Sequence, residues 1–206
     1  MVDINRFSIF KSEVFSFELP NFNFWKQQIE QIILVEDNKN IHGQDTTPDE
    51  RCNVMAKRTA WNSHMRYPTL DLLCQEIAKP IEEFVAKEGY DIPELEPANC
   101  WVNWYRKDNF SHPHSHGSHL SAVLFVDVEK TDARFFFHAN HNLVLIKKQD
   151  VISNFSNLKE VQAKDGTVIF FDGSVKHSVS PNNTNNTRVT MAVNYKVNYK
   201  QERDEY

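Results

Sequence analysis

Four of the nine histidines fall within eight residues of one another: His112, His114, His116 and His119. They lie in YRKDNFSHPHSHGSHLSAVLFV, residues 105–126, whose second half is a run of apolar, strand-forming types. On an extended strand, residues i and i+2 project to the same side, about 7 Å apart along the backbone. His114 and His116 therefore read as a pair able to grip one ion, and imidazole suits iron, zinc, copper and nickel. A His-rich surface loop that binds metal adventitiously has the same composition, so the pair alone does not decide. A further histidine, His177, follows an apolar strand and a turn in GTVIFFDGSVKH. Eleven residues later comes Arg188, two before Thr190, amid Val189, Met191 and Val193. An arginine on such a strand needs a partner. Its guanidinium is a rigid fork matched to a carboxylate, and a hydroxyl two residues on faces the same side. A surface ion pair on an edge strand would also account for Arg188 taken alone.

Three segments carry a resemblance: TAWNSHMRYPTLDLL, WVNWYRKDNFSHPHSHGSHLSAVLFV and DGTVIFFDGSVKHSVSPNNTNNTRVTMAVN. Together they resemble the 2-oxoglutarate- and Fe(II)-dependent oxygenase superfamily, and within it a group of small oxygenases of unassigned substrate from bacteria and phages. Relatives carry a tyrosine nine or ten residues before the first metal ligand, and Tyr105 stands nine before His114. They carry a glycine opening the strand before the distal histidine, as Gly166 does, and an arginine with Ser or Thr two residues on, as Arg188 and Thr190 do. The resemblance covers most of residues 60–195. It implies a double-stranded β-helix (jelly-roll, cupin-like) core that binds Fe(II) through His114, His116 and His177. It implies 2-oxoglutarate as co-substrate, its keto acid on the metal and its distal carboxylate on Arg188 and Thr190, with Tyr105 alongside. O2 would be the oxidant, and succinate and an oxidised substrate C–H the products.

Two departures from the superfamily pattern stand out. Most members use His-x-Asp or His-x-Glu as the first pair of a 2-His-1-carboxylate triad, whereas the second residue here is His116. Three neutral imidazoles leave the iron complex one unit more positive. The register His112/His114 is an alternative. His114/His116 is preferred because Tyr105 and Ser121 then fall where relatives place their equivalents. Asp172 and Asp127 are alternative carboxylate donors. The second departure is Phe125, which stands where many members place a hydrogen-bonding tyrosine and has no polar atom to offer.

The remaining sequence must supply the scaffold. Residues 6–19 alternate loosely and predict one or two short strands, and Asn23 to about Val35 predicts a helix. Asp37 to Asn53 is polar and turn-rich and reads as a loop, a candidate lid. From Thr69, a plausible N-cap, Leu73, Ile77, Ile81 and Phe84 recur at helical spacing up to Gly89, with Pro80 expected to kink or split the helix. From Pro97 the predicted strands are 100–105, 112–116, 120–128, 133–138, 143–146, 167–171, 177–179 and 188–197, separated by turn signals. Helices first and strands after give an α+β, mainly β class, with N-terminal helices packed on one sheet. The reading is one domain over 1–206, with strands and helices in 1–96 and the β-helix core in 97–198.

The net charge of -5 shows no basic patch for nucleic acid. Cys52, Cys74 and Cys100 are scattered and odd in number, which argues against a disulfide framework or a thiolate zinc site. With no signal-peptide core and no membrane-length apolar run, the expectation is a cytoplasmic protein without membrane contact. Its substrate would be a small molecule or a peptide, and its oligomeric state is left open, a homodimer being one option. Trp61, Trp101 and Trp104 read as core or pocket wall, Phe135 to Phe137 as contributing to a cavity mouth, and His138 and His141 as loop histidines. Asn103 and Asn194 read as inward polar residues. Two rival functions remain: a cupin-like three-His metal dioxygenase or isomerase without 2-oxoglutarate, favoured by the HxH pair, and a non-enzymatic jelly-roll binding module.

Overall fold

The computed structural model describes residues 4–9, 12–39, 53–89, 94–117, 120–139 and 158–198. Two antiparallel sheets face each other. The major sheet has seven strands in the order β1-β2-β10-β7-β12-β5-β4. These are β1 (Asn5–Ile9), β2 (Ser12–Glu18), β10 (Thr167–Asp172), β7 (Leu120–Asp127), β12 (Arg188–Asn198), β5 (Glu94–Tyr105) and β4 (Lys57–Arg58). The minor sheet has five strands in the order β3-β6-β11-β8-β9. They are β3 (Val54–Met55), β6 (Phe110–His114), β11 (His177–Val179), β8 (Phe135–His138) and β9 (Leu158–Val161).

The major sheet is covered on both faces, which is why its strands read as continuous apolar runs. Successive residues still alternate. Val168 and Phe170 of β10, Leu124 and Val126 of β7, Met191 and Val193 of β12, and Cys100 and Val102 of β5 join a core shared with two helices. These helices are α1 (Phe22–Lys39), contributing Ile29 and Ile32, and α3 (Pro68–Lys87), contributing Leu70, Leu73, Ile77 and Ile81. The intervening residues Ile169, Phe171, Val123, Phe125, Trp101 and Ala192 turn inward and meet Val54, Phe135, Phe137 and Val179 of the minor sheet. This is a double-stranded β-helix buttressed on one side, as expected.

The helices correct the sequence reading in detail. α1 runs on through Lys39, so Asp37 to Lys39, expected to open a loop, are helical, and residues 40–52 lie outside the described part. Thr69 is not the cap of α3. Tyr67 occupies that position and Pro68 opens the helix, where a missing backbone N–H costs nothing. Pro80 neither ends nor divides α3. An interior proline costs about 3 kcal/mol, and here the burial of Leu73, Cys74, Ile77, Ala78 and Ile81 outweighs it. A short helix α2 (Ser63–Arg66) and strands β3, β4 and β9 were not anticipated; each has four residues or fewer, too few to show a period. The predicted strand 143–146 lies outside the described residues, as do Cys52, His119 and His141.

Candidate metal centre

The metal-side residues come from the minor sheet. His114 is the last residue of β6 and stands directly across from His177, the first residue of β11. Facing residues of an antiparallel pair hold their Cβ atoms about 5 Å apart, so register alone brings these two rings together. Their centroids are 4.4 Å apart. The strand expected to include His116 stops at His114 instead. His116 leaves the ladder, its backbone N–H donating to Gly173 O at 2.7 Å, and Gly117 turns the chain at φ 73°. His114 and His116 therefore converge by a bend rather than by the pleat, with centroids 5.1 Å apart.

The ligating atoms of His114, His116 and His177 lie within 4.8 Å of one another. Nε2 of His116 and Nε2 of His177 are 3.2 Å apart. Two nitrogens each about 2.1 Å from one ion at right angles stand about 3 Å apart, so this spacing fits two neighbouring positions on a single metal. Backbone carbonyls set the tautomers. His114 Nδ1 lies 2.7 Å from His112 O, and His177 Nδ1 lies 2.9 Å from Val175 O. A carbonyl requires the N–H on Nδ1, which leaves the Nε2 lone pair of each ring for a cation. This is the usual support of a metal-bound imidazole. Burial, the largest influence on both, holds His114 and His177 below the ordinary histidine range. Both are neutral and ready to ligate.

The alternative ligands stand apart. His112 is exposed and contributes its carbonyl rather than its ring. Asp172 is exposed, and its Oδ1 accepts the Ser174 N–H at 2.8 Å. Asp127 accompanies Lys26 at 3.7 Å. Among the described residues none of the three joins the histidine group. His138 is not a loop residue; it ends β8 and meets Ser178 Oγ through Nε2 at 2.8 Å.

The inner face of the major sheet forms the opposite wall. Tyr105, Asn103 and Trp101 of β5 pair across with Arg188, Thr190 and Ala192 of β12. Ser121 of β7 donates to Asn194 Oδ1 at 2.8 Å. The cavity beside the triad measures about 30 Å3, room for an ion and one or two waters. Trp101, Asn103, Tyr105, Thr190 and Asn194 line it. Phe135 also lines it and is a wall of a second cavity, about 260 Å3, where Arg188 is found. Arg188 is 3% exposed. Its Nη1 donates to Ala133 O at 3.0 Å, its Nε has no partner among the described residues, and its head lies 5.5 Å over the Phe125 ring. Burial lowers its pKa to about 10. Phe125, with no hydroxyl to offer, is thus the platform of the arginine. Val54 and Ser111 also line the metal cavity and escaped the sequence reading; β3 is two residues long, and Ser111 carries no distinguishing spacing.

A family model described as "Putative 2OG-Fe(II) oxygenase" matches residues 99–194. No curated protein matches the chain. Among solved structures, a Pseudomonas putida prolyl-4-hydroxylase superimposes with TM-score 0.59 at 14% identity, over 96% of this chain and 94% of that one. HygX from Streptomyces hygroscopicus, with nickel and 2-oxoglutarate bound, gives TM-score 0.63 at 13% identity, over 89% and 82%. The α-ketoglutarate-dependent epimerase SnoN from nogalamycin biosynthesis gives 0.62 at 13%, over 89% and 76%. At these identities the structural likeness is one of fold. The matched stretch 99–194 contains the triad and its supporting strands, and over it the chain is similar to that oxygenase family, with His114, His116 and His177 in an HxH…H arrangement.

Proposed function

We propose that the protein is a 2-oxoglutarate-dependent dioxygenase that oxidises a C–H bond of a small molecule or peptide. The observation that carries this reading is the convergence of His114, His116 and His177, two of them with tautomers fixed by backbone carbonyls. These three residues would hold Fe(II). When bound, the iron and 2-oxoglutarate activate O2, with decarboxylation of the co-substrate to succinate.

The chain's own part is binding, orientation and water exclusion. Arg188 is a buried cation with an unpartnered Nε, so a carboxylate is its natural complement. Thr190 and Tyr105 lie on the path between Arg188 and the triad and offer hydroxyls to the same anion. Asn103, whose buried Oδ1 has no partner, faces Thr190 across the ladder. Three neutral imidazoles leave a divalent cation uncompensated, and a dicarboxylate dianion offsets most of the combined charge of metal and Arg188. Because Phe135 stands between the two cavities, its ring must turn for one molecule to reach both metal and Arg188. Phe135, Phe137 and Phe171 pack around His177 and keep its side of the site dry.

The cupin-like reading without 2-oxoglutarate draws on one observation, that Arg188 opens on the neighbouring cavity and not on the metal cavity. Anaerobic calorimetry with Mn(II) in place of iron separates the two. The oxygenase reading expects saturable 2-oxoglutarate binding that depends on the metal. Absence of binding to the wild type would overturn it.

A further inference from the structure

Trp101 lines the metal cavity, is 2% exposed, and its indole Nε1–H has no hydrogen-bond partner among the described residues. A buried donor left unmade is unfavourable, and native folds rarely keep one without a reason. Its place in the ladder sets it apart from the co-substrate path. Arg188 faces Tyr105, Thr190 faces Asn103 and Ala192 faces Trp101, so Tyr105 and Asn103 flank the way from the triad to Arg188, and Trp101 lies beyond them. Its ring is 5.6 Å from that of His116. On the other side Trp61 meets it edge-on at 4.6 Å, is 39% exposed, and carries the Arg58 guanidinium 4.2 Å over its face. His114 and His116 are half-buried, whereas Arg188 is buried. Trp101 therefore stands on the solvent side of the triad. Apart from the histidines, no carboxylate, lysine or arginine lines this cavity among the described residues.

We propose that Trp101 Nε1–H donates to a neutral acceptor oxygen of the primary substrate, an amide carbonyl or a hydroxyl, and that the neutral lining selects against charge there. This rests on the oxygenase reading. Iron(II) and Arg188 against the co-substrate dianion leave one positive charge, and Arg188 lies in the neighbouring cavity; beside Trp101 the lining carries no charge, so a charged substrate group would be buried there without an adjacent counter-charge. The donor fixes the acceptor oxygen beside His116, which orients the neighbouring C–H toward the metal.

The test uses the full chain loaded with diamagnetic Zn(II) and 2-oxoglutarate, followed by nitrogen–proton correlation NMR of the indole groups. The chain has four tryptophans. The Trp101 signal is assigned by its loss in W101F, and independently by elimination with W25F, W61F and W104F. The probes are N-acetylalanine methylamide for a peptide carbonyl and methyl glucoside for a sugar hydroxyl, with N-acetylalanine carboxylate as the charged comparator. The expected result is a saturable downfield shift of the Trp101 N–H with at least one neutral probe and none with the carboxylate; which neutral probe acts tells the source of the oxygen. No shift with either neutral probe, or an equal shift with the carboxylate, overturns the proposal. A shift on adding 2-oxoglutarate alone also overturns it, by making the N–H a co-substrate contact. If calorimetry of the same Zn(II)-loaded protein shows no 2-oxoglutarate binding while the neutral probe still moves Trp101, the oxygenase reading fails and the recognition role stands.

Discussion

The two faces of the major sheet are built from the same strands and behave oppositely. On β12, Val189, Met191, Val193 and Tyr195 turn toward the helices, while Arg188, Thr190, Ala192 and Asn194 turn toward the site. The helix face is mainly apolar, with Tyr195 donating to Cys74 O at 2.7 Å and Trp104 Nε1 as a further buried polar atom of the sheet. The site face buries three such atoms, Trp101 Nε1, Asn103 Oδ1 and Arg188 Nε, without partners among the described residues. Burying such groups is costly, and the helix face supplies the apolar burial that offsets it. Stability and chemistry are thus divided residue by residue along one strand, and mutations at even and odd positions should separate them.

The largest expected effect lies at the metal. His177→Ala removes a buried ligand and should lower metal affinity by more than about 100-fold, beyond what losing a supporting residue costs, with the fold retained; metal analysis and circular dichroism check both halves. On the helix face, Leu73→Ala, at a fully buried position, should cost about 2–5 kcal/mol in denaturant unfolding and leave the affinity of the folded protein for Mn(II) and 2-oxoglutarate unchanged. A loss of affinity there would break the comparison.

On the site face the signs reverse. Arg188→Ala should weaken 2-oxoglutarate at least about tenfold, the equivalent of a charged hydrogen bond, with metal affinity intact. Arg188→Met should raise the melting temperature of the protein without co-substrate, because an under-partnered buried charge is gone. A melting temperature that falls instead would show that Arg188 is a structural ion.

The next effect is on pH. His114 and His177 bind protons less readily in the fold than their ordinary value of 6.5. Below that pH the unfolded chain takes up protons that the fold resists, so stability of the metal-free protein should fall as pH drops below about 6.5 and level off above it. Thermal melts across that range check the sign, and His177→Ala should flatten the curve. The smallest effect belongs to His112→Ala. The exposed ring goes but the carbonyl that orients His114 stays, so metal affinity should not change measurably.

Much of this was legible in the sequence, and what was not has physical causes. The long strands 120–128, 167–171 and 188–197 were readable because both faces are largely buried, so apolar residues run on in the first two and recur at Val189, Met191 and Val193 in the third. His177 could be set against the histidine cluster because a strand and a turn precede it. The path of His116 was not readable, since the bend depends on a hydrogen bond to Gly173, far away in the chain. The continuity of α3 through Pro80 was hidden for a similar reason: the packing that offsets the proline comes from strands β5 and β12, later in sequence. The division of the interior into two cavities with Phe135 between them depends on how three successive phenylalanines alternate, and spacing alone does not say which of them points where.

The position of β12 in the sheet also sets an order of assembly. It lies between β7 and β5, which end about sixty and eighty residues before it begins, and it contacts both along much of its length. A ribosome releases the chain from the N-terminus, so the histidines are all synthesised before the strand that completes both the core and the wall carrying Arg188 and Thr190. Such late, non-local pairing makes for slow folding. During synthesis the nascent chain would carry metal-binding side chains on an open, seamed sheet before it carries any means of holding a dicarboxylate, so maturation should be gated by insertion of this single strand.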